Sequence, residues 1–251
     1  MQLRLAPLAI FAGLGLASHA FAADKGFEIM ARPGYGSGGA GSPIGYQDAQ
    51  VGGGTARFGD AGAIWSGTST PWGGGFRGEA TVGYRFIPML SVGLGVGLRN
   101  ASGSDPGDGS TSLKRSAFDV GPYVRLYLPM VPIVEPWISV GARYVGDTQS
   151  YSRPTLASVN GAATKVPTDW TLEHHGVAFP ITVGVDYPIL PMLSVGPSFE
   201  LAPVVSAGGC AKQSYLGGAG SGSFCTDSNP RFTKASGYTV WSLGLDLRLT
   251  L

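Results

Sequence analysis

The closing stretch of the chain, residues 237–251, restricts the fold more than any other. Trp241, Leu243, Leu245, Leu247, Leu249 and Leu251 alternate there with Ser242, Gly244, Asp246, Arg248 and Thr250. A period of two puts one set on each face of a β-strand, one face oily and the other polar. A helix would mix the two sets on every face.

The pattern recurs seven times upstream, over about residues 27–36, 76–86, 90–100, 118–128, 137–145, 177–187 and 193–202. In the third of these, Leu90, Val92, Leu94, Val96 and Leu98 alternate with Ser91, Gly93, Gly95, Gly97 and Arg99. Three connections are short and carry proline: 87–89, 129–136 and 188–192. Four are long, polar and rich in Gly and Ser: about 37–75, 101–117, 146–176 and 203–236. Eight antiparallel strands with short turns at one end and long loops at the other predict a closed up-and-down barrel. The even count returns the last strand to the side where the first began.

Two barrels fit such a pattern, one soluble with an apolar interior, the other membrane-spanning with an apolar exterior. The polar rows decide between them. They hold Arg32, Arg77, Arg85, Arg99, Arg125, Arg143 and Arg248 against Glu28, Glu79, Asp119, Asp186, Glu200 and Asp246, and no lysine. A solvated surface would be richer in Lys. Planar guanidinium forks suit a crowded, desolvated ion-pair network. These thirteen residues are therefore expected in the lumen, with inward glycines giving them room. Hairpin geometry predicts Arg99 near Asp119, Glu79 diagonal to Arg99, and Glu28 between Arg85 and Arg248. On the oily face, Phe76, Phe118, Tyr144 and Trp241 gather at one end of the strands, and Phe27, Tyr84, Phe86 and Tyr187 at the other. Two such groups predict aromatic girdles at the two membrane interfaces. Pro33, Pro122, Pro180 and Pro197 fall inside the strands, where a missing N–H predicts bulges or shifted strand ends.

Residues 1–22 read as a cleaved secretory signal: a charged start at Arg4, an apolar run from Leu5 to Ala17, then Ala20 and Ala22 at an Ala-x-Ala site. Residues 23–251 would then form the barrel. Losing Arg4 takes the formal net charge from +1 to 0. A neutral chain offers no electrostatic case for nucleic acid. In an exported chain, Cys210 and Cys225 are expected to pair as a disulfide, worth about 3 kcal/mol by loop closure.

Candidates for chemistry are few. Glu173-His174-His175 lacks the spacing of a zinc hydrolase. Ser152, Ser206 and Asp147 are polar partners that a loop could bring near His174, but nothing in the spacing fixes them there. Asp105 and Asp108 read as a turn more strongly than as a cation site. Gly93, Gly95 and Gly97 lie in a strand and are no nucleotide loop. Trp65, Trp72, Tyr151, Trp170, Tyr215 and Phe224 are loop aromatics, open to a ligand or to packing against one another. No catalytic residue, cofactor or metal is expected.

The signal, eight strands, alternating connections and apolar final strand resemble the bacterial eight-stranded outer-membrane barrels, of the OmpA transmembrane-domain, OmpX and OmpW type. The resemblance covers about residues 27–251 and rests on pattern. It implies residence among outer-membrane lipids and recognition of the last strand by the barrel-assembly machinery, although Leu251 stands where the family usually has an aromatic. An eight-stranded barrel is narrow enough for side chains to fill it. The function expected is therefore a structural or surface-interaction role, through extracellular loops that can meet a ligand or a protein. A narrow channel for small or amphiphilic solutes is the alternative, and a lipid-modifying enzyme a third.

Overall fold

The computed structural model describes residues 25–38, 45–46, 74–104, 112–128, 133–159, 162–215, 220–225, 232–233 and 238–251. The expected signal segment, Asp105, Asp108, Trp65 and Trp72 lie outside them, as do the side chains of Tyr151, Trp170, Ser206, Tyr215 and Phe224.

In chain order the strand segments are β1 (Gly26–Gly38), β2 (Gly45–Tyr46), β3 (Gly75–Ile87), β4 (Leu90–Ser104), β5 (Ser112–Tyr127), β6 (Glu135–Gly141), β7 (Arg143–Val159), β8 (Ala162–Ala178), β9 (Ile181–Leu190), β10 (Leu193–Tyr215), β11 (Gly220–Cys225), β12 (Phe232–Thr233) and β13 (Tyr238–Thr250). β6 and β7 are two halves of one strand, since both pair with β5 in a single register. β8 and β9 are likewise two halves, both laid against β10. With each split strand counted once, antiparallel pairing runs β1, β3, β4, β5, β6–β7, β8–β9, β10, β13 and returns to β1. That is a closed ring of eight. Closure removes the sheet edges, so every strand in the ring has a partner on both sides.

The prolines act differently from expectation. Across Pro33, Ala31 pairs with Leu247 and Gly34 with Gly244, the same register on both sides of a missing rung. On the other flank Pro33 stays in the ladder opposite Gly78. Pro197 does the same, missing a rung towards β9 and keeping its place opposite Leu245. Pro122 and Pro180 together account for the breaks between β6 and β7 and between β8 and β9. There the free backbone groups are used across the gap: Gly141 N–H donates to the Pro180 carbonyl at 3.0 Å, and Ala142 N–H to the Pro122 carbonyl at 3.2 Å. Each proline thus removes hydrogen bonding on one flank and causes no bulge. A bulge would shift the register and turn the next side chains to the wrong face.

Strand ends differ too. Residues 146–159 and 162–176, expected as loop, continue the ladder of β7 against β8. β10 runs for 23 residues, about twice the 9–11 that a tilted strand needs to cross a bilayer. Its far end pairs with β8 on one flank and β11 on the other, and the Cys210–Cys225 disulfide joins directly opposed residues of that hairpin. Reduction of this bond should expose the hairpin tip to protease while the folded barrel persists. The check is limited proteolysis with and without reductant, beside the heat-modifiable gel shift. Loss of the folded band on reduction would show that the bond holds the ring itself.

Candidate functional site

The outward face is apolar. Leu243, Leu245 and Leu247 are 55%, 48% and 42% exposed, and Leu94, Val96, Val120, Val183 and Phe199 are exposed with them. A water-soluble barrel would turn these inward. Phe27 meets Tyr84 edge to face at 5.1 Å, and Tyr84 meets Phe86 at 5.0 Å. Phe118 and Tyr144 lie 6.0 Å apart near the other end. Beyond Phe118 and Tyr144 the outward residues become polar: Lys114, Ser116 and Ser150 are exposed. The oily belt therefore ends at that aromatic pair, and the strands continue past it into water.

The inward face is charged. All thirteen residues expected in the lumen are 7% exposed or less. They fall into layers along the axis. The layer nearest the short turns centres on Glu28, which accepts from Tyr127 Oη at 2.9 and 2.8 Å and lies 3.7 Å from both Arg85 and Arg248. Glu135 bridges the same two arginines, and Arg248 Nε stands 3.2 Å from Asp186. Arg85 lies over the Tyr127 ring at 3.6 Å. Arg125 has aromatics in place of a carboxylate: Trp137 at 4.5 Å and Tyr123 at 5.2 Å. Its other donors reach Tyr127 Oη and the Met30 sulfur, each at 3.3 Å.

The middle layer is the densest. Arg32 donates to Glu79 and, at 2.7 Å, to Glu200. Arg77 reaches Glu79 at 3.1 Å, Asp119 at 2.9 Å and Glu200 at 2.7 Å. Arg143 reaches Glu79 at 2.6 Å and Asp119 at 2.8 Å. Asp246 stands 4.0 Å from Arg32. Glycines make this crowding possible. A Cβ on Gly97 would come within 2.5 Å of the Asp119 carboxylate, and one on Gly244 within 2.6 Å of Arg32 Cγ.

One expected pairing is not formed. Asp119 lies opposite Gly97, while Arg99 lies opposite Ala117 and Arg77. Both Asp119 oxygens go to Arg77 and Arg143. Glu79, although diagonal to Arg99, is taken by Arg32, Arg77 and Arg143. Hairpin geometry supplies heights and cannot supply reach across the lumen. Arg77 reaches over Gly97 to Asp119, while Arg143, diagonal to Asp119 on the adjoining strand, also reaches over to Glu79.

A third layer sits beyond the belt. Arg115 grips Asp147 with two donors, Tyr238 Oη donates to Asp147 at 3.0 Å, and Arg115 lies over the Tyr238 ring at 4.7 Å. Asp147 and His174 are opposed across β7 and β8. His174 is buried, and its ring lies 5.7 Å from that of Tyr238. Burial pushes the His174 imidazole below its ordinary pKa. Ser152 is elsewhere, bonded to Asp169. Sequence reasoning misses Arg115, and names Asp147 only as a loop partner for His174, because both fall in stretches that read as loops. It misses Glu135 because residues 129–136 read as a turn, whereas Glu135 opens β6. Extending the period of two past Phe118 and Tyr144 would find the first pair.

No protein-family model and no curated protein matches the chain. Among solved structures, a major outer membrane protein of Thermus thermophilus superposes with a TM-score of 0.50 at 18% identity, over 90% of this chain and 99% of that one. OprG from Pseudomonas aeruginosa gives 0.46 at 13% identity, over 92% and 100%. Neisserial surface protein A gives 0.42 at 13%, over 90% and 97%. With its oily exterior, ion-paired lumen and closed ring, the chain has the fold of the eight-stranded β-barrels of the bacterial outer membrane.

Proposed function

We propose that this barrel is a closed structural and surface-interaction protein of the outer membrane, acting through the strand extensions and loops beyond the belt. One observation carries this reading. Guanidinium and carboxylate groups meet across the lumen in the middle layer, so a solute would have to break several buried ion pairs to pass. The Cys210–Cys225 hairpin supports the second half, since it stiffens a surface presented to the exterior. Contact between that surface and another molecule is a binding event and requires no chemistry. A non-enzymatic role agrees with Asp147, whose carboxylate is committed to Arg115 and Tyr238 instead of orienting a histidine towards a nucleophile.

Purified barrel in planar bilayers is expected to give no steps above a protein-free control. A steady opening in symmetric salt would transfer the assignment to the channel reading. Cells displaying the intact barrel should also attach to protein-coated plastic better than cells whose barrel is shortened beyond the Cys210–Cys225 bridge. Equal attachment with both barrels folded would sink the surface role.

A further inference from the structure

We infer that the lumen holds a monatomic anion, of halide size, beside Arg99. A cavity of about 10 Å³ lies between the middle charge layer and a collar of small apolar side chains that includes Val145 and Val204. This is room for about one water-sized occupant. Three arginines line it, Arg77, Arg99 and Arg143, together with one carboxylate, Asp119.

Donors outnumber acceptors there. A guanidinium carries five N–H donors and accepts nothing. Arg99 is 7% exposed, and among the described residues no carboxylate lies within ion-pair distance of it. The Nε groups of Arg77, Arg99 and Arg143 are all buried without a hydrogen-bond partner. Asp119 has no oxygen to spare, with Oδ2 held by Arg77 and Oδ1 by Arg143. Behind it, Glu79 and Glu200 are neutralised by Arg32, Arg77 and Arg143. A buried cation left in this state is costly. Water would relieve it only in part, because a water molecule must also place two hydrogens among arginines. A halide presents acceptor density in every direction and a full opposing charge. The apolar collar lowers the local dielectric and strengthens the attraction. The cavity is too small for sulfate or phosphate.

Crystals of the full barrel grown or soaked in bromide test this directly. An anomalous peak is expected in the cavity, beside the Arg99 guanidinium, and is expected to vanish in Arg99→Gln. Bromide peaks on the outer surface with none in the cavity would overturn the inference. In detergent, the unfolding temperature should rise by a few degrees when gluconate, too large to enter, is replaced by bromide at equal ionic strength. The rise should disappear in Arg99→Gln. An equal rise in both proteins would assign the effect to bulk salt and also overturn it. Arg99→Gln removes an unpaired charge, so its folding is expected, and the wild-type diffraction arm does not depend on it.

Discussion

Glu79→Ala should destabilise the folded barrel by about 3–5 kcal/mol, the range for removing one partner of a buried ion pair. Glu79 is 6% exposed and receives Arg32, Arg77 and Arg143, which come from three different strands. Removing the carboxylate leaves three guanidiniums facing one another, with Asp119 and Glu200 as their nearest remaining counter-charges. Repulsion between cations then adds to the lost bonds. Glu79→Gln should lose less, because the amide oxygen still accepts one hydrogen bond. The natural control is Lys212→Ala. Lys212 pairs with Glu173 on the outside, with about half of each side chain exposed. Such surface pairs contribute roughly 0–1 kcal/mol. Urea unfolding in detergent, followed by the folded band on a gel, separates these cases. Equal midpoints for Glu79→Ala and Lys212→Ala would mean that the middle layer is wet and contributes little, and the closed-lumen reading would fail with it.

The ring itself is legible in the sequence because strand period is a local property. Val92, Leu94, Val96 and Leu98 face out wherever β4 sits, and the alternate residues must then face in. The same logic places Glu28, Arg32, Arg125, Asp186 and the other lumen charges without coordinates. Partner choice is not legible, because it is decided across the barrel. Arg77 and Glu200 are 123 residues apart and meet only once the ring is closed. Strand ends are also obscured. β7, β8 and the far part of β10 extend beyond the oily belt, where both faces are polar, so the alternation disappears while the hydrogen bonding continues. The composition of residues 146–176 reports water on both sides, which a loop and a two-sided polar strand share. Pro122 and Pro180 mislead for a related reason. A proline forbids one hydrogen bond, and nothing in the sequence says whether the chain answers with a bulge or with an empty rung.

Leu94→Arg is the sharpest test of which face meets lipid. Leu94 is 60% exposed, on the outer face of β4. Its height is fixed by the ladder. Val92 pairs with Tyr84 of one girdle, and Leu98 pairs with Phe118 of the other, so Leu94 lies well inside the belt. A cation on the lipid face near the midplane costs about 2–4 kcal/mol and falls to about 0–1 near the interface. Leu94→Arg should therefore lower the unfolding free energy by about 2–4 kcal/mol in lipid vesicles. Ser116→Arg points outward from β5 beyond Phe118, where the surface already carries Lys114, and should cost about 0–1 kcal/mol. Both changes add one positive charge to an exposed position of the same hairpin. Only depth distinguishes them, so fold-wide effects of net charge cancel in the comparison. Equal, small effects would mean that water covers position 94, and the apolar exterior would then need another explanation. A larger effect at 116 than at 94 would shift the belt towards the long strand extensions and place Arg115 and Asp147 inside the membrane.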